Sequence, residues 1–231
     1  MADATRTAAP KSPLKAERRK NVDRSAATRR QILEATVRCL DQWGYGAVTN
    51  LKVADAAGVS RGAMMHHFPT RQALIVGTIE FAYANQSAFR AAELAKAPAG
   101  LDRFRRIMDL SYTTQRMPEG MALNEIRIGS RSDPEIREAV TPIMSTISED
   151  YVRMISDVAR EAGLKSNREM RGLIGTVAMA SRALAINTFT YPSSRVAENV
   201  LWTLQCMRED LIARELGAKH ARRPALPVDK T

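Results

Sequence analysis

The stretch Thr49-Asn50-Leu51-Lys52-Val53-Ala54-Asp55-Ala56-Ala57-Gly58-Val59-Ser60-Arg61-Gly62-Ala63-Met64-Met65-His66-His67 decides the fold. Thr49 can cap a short helix over 50–57, because its hydroxyl accepts from an amide of the first turn, and Gly58 stops that helix where the chain needs a positive φ. Ser60 can cap a second helix over 61–67, which Phe68 and Pro69 close. Two short helices with a three-residue turn have the proportions of a helix-turn-helix, in which the second rod enters a major groove and the first braces it. The small residues fall where that geometry needs them: Ala54 allows close approach, Gly58 makes the turn, and Val53, Val59 and Met64 face inward. An Ala-x-x-x-Gly spacing also occurs by chance in helical proteins, so the flanking residues must carry the assignment.

Upstream, Ile32, Leu33, Thr36, Val37, Leu40 and Trp43 recur at three-and-four spacing, predicting an amphipathic helix over 26–43 that Gly44 ends. Downstream, Thr70 can cap a long helix to about residue 95 through Leu74, Ile75, Ile79, Phe81, Ala82 and Phe89. Beyond a connection at 96–100, helices are predicted over 101–117, 120–131, 134–162, 167–190 and 193–216, with Pro142 kinking or dividing the third of these. No alternating strand pattern, hairpin dipeptide or fixed repeat interrupts them, so the fold class is all-α.

Read together, Arg29-Arg30-Gln31-Ile32-Leu33-Glu34-Ala35, Trp43-Gly44-Tyr45, Thr49, Val53-Ala54, Ala57-Gly58-Val59-Ser60-Arg61-Gly62 and His66-His67-Phe68-Pro69-Thr70-Arg71-Gln72-Ala73-Leu74 closely resemble the N-terminal domain of the tetracycline-repressor-like (TetR) family of bacterial transcriptional regulators. The resemblance implies a three-helix DNA-binding domain, a larger helical domain that binds an effector, and a homodimer built on the last two long helices. The C-terminal half matches only by length and helical character. The chain then divides into a disordered basic arm (1–24), a helix-turn-helix DNA-binding domain (25–72), a helical effector-binding and dimerisation domain (73–217) and a disordered tail (218–231). Two positions depart from the family pattern. Met65 stands where the family has a tyrosine that donates to a DNA phosphate, a bond methionine cannot make, leaving His66 or His67 as substitutes. Arg71 replaces a lysine and keeps the charge in a forked form suited to phosphate.

Charge distribution points the same way. Residues 1–75 hold thirteen basic and six acidic residues, so this third of the chain carries +7 of the net +10. A polyanion is the natural partner of such a segment, because each phosphate neutralised releases condensed counterions. A solvated basic tail is the plainer account of the arm, which otherwise could lie along a minor groove. Cys39 and Cys206 are far apart without a CxxC motif, so neither a disulfide framework nor a zinc module is indicated. No apolar stretch is long enough to cross a bilayer and no signal-peptide run is present, so a cytoplasmic protein without membrane contact is expected.

Arg61 is the candidate for a base-edge contact, since a guanidinium can bridge guanine O6 and N7; a phosphate clamp or a solvated side chain is the alternative. Gly62 lets the backbone approach the duplex, and Thr49, Ser60, His66 and Arg71 are expected to position the domain on phosphates. Adjacent helical residues such as His66 and His67 point about 100° apart, with no further ligand at i+3 or i+4, so neither a metal nor another cofactor is expected.

In the C-terminal half, Met108, Tyr112, Met117, Met121, Met144, Tyr151 and Met154 form an apolar, methionine-rich set that could surround a hydrophobic effector or simply pack as core. Arg127 and Arg182 interrupt apolar context and could receive a carboxylate or phosphate, or pair with Glu125 or another acid. Tyr112, Arg127, Met144, Tyr151 and Arg182 are the candidate ligand residues. Leu173, Ile174, Val177, Leu184 and Ile186, with Val196, Val200, Leu201, Leu204, Met207, Leu211 and Ile212, could form half of an intersubunit four-helix bundle or an intrachain core. The function expected is a dimeric, ligand-responsive repressor on a palindromic operator. The rival is a DNA-binding adaptor whose C-terminal domain docks a protein and takes no small molecule. An enzyme is not expected, because the three histidines accompany no nucleophile–base pattern and no phosphate loop.

Overall fold

The computed structural model describes residues 13–188 and 195–217, and among these the regular structure is helical, with no strand. Helix α1 (Pro13–Trp43) leads through a 3-10 turn (Tyr45–Ala47) to α2 (Asn50–Ala57) and α3 (Arg61–His67). The long α4 (Arg71–Ala95) follows, then α5 (Leu101–Arg116), α6 (Pro118–Gly129), α7 (Pro134–Glu161), α8 (Arg168–Asn187) and α9 (Arg195–Leu216).

Side-chain caps set most of the starts. Thr49 accepts from the Lys52 amide (3.3 Å), Ser60 from Ala63 (3.1 Å), Thr70 from Ala73 (3.0 Å), Asp133 from Ile136 (3.2 Å) and Asn167 from Met170 (2.9 Å). Each such bond satisfies an amide with no partner inside its helix and contributes about 1 kcal/mol.

Four expectations need correction. Helix α1 begins at Pro13, so residues 13–24 are helix rather than disordered arm. Between Leu14 and Trp43 there is no Gly or Pro, Ala, Arg, Lys and Glu favour helix, and a proline at the first position is tolerated. Residues 21–31 are almost wholly exposed, which is why no apolar stripe announced this part. The rest of the arm (1–12) and the tail (218–231) lie outside the described residues. Secondly, Pro142 does not divide α7. It sits on an exposed face with Glu138, whose carbonyl loses its amide partner to water instead of to a dry interior. Thirdly, Trp43 is 50% exposed rather than core, with the Lys52 ammonium 5.9 Å from its ring. Lastly, Leu173, Ile174, Val177, Leu204, Leu211 and Ile212 are buried within one chain, so for half of the residues offered to a subunit interface the alternative of an intrachain core holds.

Two cores organise the molecule. The first joins Ile32, Leu33 and Leu40 of α1, Val53 of α2, Met64 of α3 and Leu74, Ile75 and Ile79 of α4 to Leu123 and Ile126 of α6 and Ile136 and Val140 of α7. The second packs Phe104, Ile107 and Met108 of α5 against Ile155 of α7, Ile174 of α8 and Ile212 of α9. The helix-turn-helix head is thus welded through α4, α6 and α7 to the body, and a cut at 72–73 falls inside continuous packing.

Candidate nucleic-acid interface and interior arginine cluster

The head is built as a small wedge. Val53, Ala54, Ala57, Met64 and Phe68 point inward, and Gly58 takes the left-handed conformation (φ 64°) that lets its amide and that of Val59 return to Asp55 (3.1 Å) and Ala54 (3.0 Å). Gln31 reaches from α1 to the Ala57 carbonyl (2.6 Å), fixing the end of α2. What remains outside is Thr49, Ser60, Arg61, Gly62, Met65 and His66, all exposed. The cap hydroxyls accept inward and keep a proton to donate outward, which suits phosphate oxygens. Arg61 makes no side-chain hydrogen bond or ion pair among the described residues.

Gly62 is informative by what does not surround it. A Cβ there would meet nothing closer than Ser60 Oγ at 3.8 Å, so nothing inside the protein calls for glycine. Glycine in a helix costs roughly 0.5–1 kcal/mol relative to alanine, an expense no internal contact explains. The rings of His66 and His67 lie 5.2 Å apart and nearly perpendicular. Burial, with His66 and Arg29 beside it, lowers the pKa of His67. No cluster of three metal-ligating side chains occurs among the described residues.

Arg71 stands apart from the other predicted contacts, because its guanidinium turns inward. It pairs with Asp133 (2.9 Å), donates to the Tyr45 carbonyl (3.3 Å) and lies 4.2 Å over the Tyr45 ring. Tyr45 donates its hydroxyl to the same Asp133 carboxylate (2.9 Å) and its amide to Glu125 (2.9 Å). Its ring covers Gly129 so closely that a Cβ there would sit 2.1 Å from Tyr45 Cδ1. The Ile136 amide, the Tyr45 hydroxyl and the Arg71 charge hold the Asp133 carboxyl below its usual range. Burial and the bond to Asp133 push the Tyr45 phenol up to about 12. The corner between α6 and α7 therefore grips the 3-10 turn and the start of α4, and a phosphate could engage Arg71 only in competition with Asp133. Tyr45 and Asp133 escaped the sequence reading, since residues 88 apart in the chain give no spacing signal.

In the body the structure gathers Tyr151, Arg182 and Arg127 and adds Arg90, which the sequence reading missed. Arg90 is 2% exposed, its guanidinium 5.6 Å from the rings of both Tyr83 and Tyr151. It continues the buried stripe of Ile75, Ile79, Ala82 and Gln86 on α4, and a charge on such a stripe was the available clue. Burial lowers the pKa of Arg90 and Arg182; it pulls Arg127 to about 10, with the Arg182 charge adding to the effect. Tyr151 shares a hydrogen bond with Ser111, and burial raises its pKa. Glu125 does not neutralise Arg127, being engaged with Tyr45; the Asn124 side-chain oxygen lies 3.5 Å from Arg127. Tyr112 stands elsewhere, beneath Arg116 and on a cleft of about 100 Å³ shared with Met108, Ser181 and Leu204. Met144 packs against the head-side core.

This geometry defines an all-α protein whose N-terminal helices include a helix-turn-helix with an exposed, capped second helix. The model for bacterial regulatory proteins of the tetR family matches residues 32–77. The HTH-type transcriptional regulator CymR of Pseudomonas putida is 29% identical over 124 residues, 54% of this chain and 61% of that protein. The HTH-type transcriptional repressor AcnR of Corynebacterium efficiens is 30% identical over 127 residues, 55% of this chain and 63% of AcnR. The chain thus spans about three fifths of the length of these relatives. A solved regulator from Saccharomonospora viridis in complex with choline shares the fold, with a TM-score of 0.58 at 19% identity, covering 81% of this chain and 94% of that one. Over residues 32–77, its helix-turn-helix region, the chain is thus similar to the tetR family of bacterial regulatory proteins. Among the described residues no helix is long and apolar enough to cross a membrane.

Proposed function

We propose that the protein is a dimeric bacterial transcriptional regulator of the cytoplasm that represses by occupying a roughly palindromic duplex operator and is released by a small molecule bound in its helical body. The observation that carries this reading is the surface of α3: Ser60, Arg61, Gly62 and His66 exposed together, with a glycine that no neighbouring atom of the protein requires. Relatives named as transcriptional regulators and repressors support it. Arg61 reads a base edge, Thr49, Ser60 and His66 hold phosphates, and Gly62 lets the backbone descend into the groove.

Twin recognition helices engage half-sites about one helical turn, ~34 Å, apart, which is what dimerisation provides. Exposed Met179 (69%) on α8 and Val196 (65%) and Met207 (43%) on α9 supply an apolar surface for it. Release follows from linkage: a ligand that prefers a body conformation with badly spaced heads weakens operator affinity by the same coupling energy. The grip of Glu125, Gly129 and Asp133 on Tyr45 and Arg71 is the connection through which body and head move together.

Fragments selected from bacterial genomic DNA by the purified protein test the proposal. A recovered duplex should bind in preference to its scrambled counterpart at low salt, and Arg61→Ala should lower that preference. No preference for any duplex contradicts the reading.

A further inference from the structure

We propose that the interior between α4, α6, α7 and α8 is a receptor for a compact polyanion carrying two or more carboxylate or phosphate charges, held by Arg90, Arg127 and Arg182. This rests on the ligand-responsive reading only for its consequence at the operator; the site itself stands on the side chains that form it.

Among the described residues, no carboxylate lies within ion-pair distance of any of the three guanidiniums. Arg90 donates to Ser87 (3.1 Å) and is flanked by tyrosine rings; among the described residues Arg127 has the long contact to Asn124 alone, and Arg182 makes no side-chain hydrogen bond. Nε of Arg90, Nε of Arg182 and Nδ2 of Asn124 are buried donors without a partner, and Asn124 is 1% exposed. Arginine does not escape this cost by releasing its proton: even Arg127, pulled to about 10, is a cation at neutral pH. Buried charge is ordinarily paired, and unpaired buried donors are rare. Three cations and three orphaned donors from α4, α6 and α8 converge here beside Tyr151 of α7, and every one of them is satisfied by the same kind of visitor, an oxyanion. One negative charge would leave two guanidiniums uncompensated, so the ligand carries more than one. Enclosure by four helices keeps it compact.

The neighbouring seam shows that the chain can pair its arginines when pairing is all that is needed. Arg105 and Arg208 are matched by Glu209, Asp102 and Asp109. The shortage of acid around Arg90, Arg127 and Arg182 is therefore local. A cation such as choline, which the solved fold neighbour holds, would be repelled here.

Calorimetric titration of the full-length protein at constant ionic strength tests the inference, with citrate and succinate as carboxylate probes, pyrophosphate as the phosphate probe and choline as the cation. Saturable binding of at least one polyanion, with none of choline, is expected. Arg127→Gln and Arg182→Gln should each weaken it by about tenfold or more, because a forked, charge-assisted contact is lost, while the surface variant Arg153→Gln should not. Circular dichroism confirms that each variant is folded, and Arg182→Lys, which keeps the charge and loses the fork, should fall between wild type and Arg182→Gln. The arm that saturates tells carboxylate from phosphate. No saturable polyanion binding, or binding indifferent to both glutamine variants, overturns the proposal. Operator affinity measured on the same samples separates the two readings: intact DNA binding without anion binding sinks this inference alone, and anion binding without DNA binding sinks the regulator.

Discussion

The seam between α5 and α9 and the interior between α4, α6, α7 and α8 both bury arginines, and they treat them in opposite ways. At the seam, Arg105 forks onto Glu209 (3.1, 3.2 and 2.8 Å), while Arg208 bridges Glu209 (2.9 Å) and Asp109 (2.6 Å) and donates to the Arg105 carbonyl. In the interior, Arg90 has two tyrosine rings and the Ser87 hydroxyl, Arg127 one long amide contact, and none of Arg90, Arg127 and Arg182 has a carboxylate partner among the described residues. The first set is neutralised by its own chain; the second has no acid beside it among the described residues. The same distinction separates two glycines. Gly129 is required from within, since the Tyr45 ring occupies the space of a side chain, whereas Gly62 borders open space. A residue whose cost nothing inside offsets points to a partner outside.

Mutations sharpen this contrast. The largest effect is expected at the seam: Arg105→Gln leaves the buried Glu209 carboxylate half-compensated and should destabilise the fold by about 3–5 kcal/mol in chemical denaturation. An unchanged denaturation midpoint would erase the difference between the regions. Gly129→Ala comes next, because the ring of Tyr45 must move or α6 must shift; overpacking of this kind costs about 1–3 kcal/mol. It should also change operator affinity if the corner couples head to body.

Removing an unpaired charge works in the other direction. Without ligand, Arg182→Gln is expected to be neutral or stabilising by about 1 kcal/mol, since it deletes a partly buried charge that no carboxylate among the described residues offsets. A loss comparable to that of Arg105→Gln would show that Arg182 has a structural partner after all. The pH dependence of the latch is smaller still. The Tyr45 phenol is pushed up to about 12, above its unfolded value near 10, so its contribution is complete below pH 10 and lost as pH rises towards 12. Tyr45→Phe should flatten the alkaline fall in melting temperature across that window.

The head was largely legible in the sequence because its geometry is local. Thr49, Gly58, Ser60 and Thr70 fix helix ends through bonds spanning three to five residues, and α2 and α3 occupy the residues the caps and turn predict. The body was legible as helices but not as a site. Arg127, Arg182 and Tyr151 were visible as polar groups in apolar context, yet Arg90 joins them only because α4 packs across α6 and α7. Arg71 was read as a phosphate ligand from its place at the start of α4, and its inward pair with Asp133 is a tertiary fact. The solvent-facing start of α1 had no apolar period to reveal it.

Gly62→Ala tests the central claim most directly, with folding stability and affinity for a recovered operator measured on one preparation. Alanine should raise stability by roughly 0.5–1 kcal/mol, because it favours helix and meets nothing but Ser60 Oγ at 3.8 Å. The same change should weaken operator binding, because its methyl group holds α3 away from the duplex. Improved stability with undiminished affinity would contradict the account, leaving α3 a surface helix that never enters the groove.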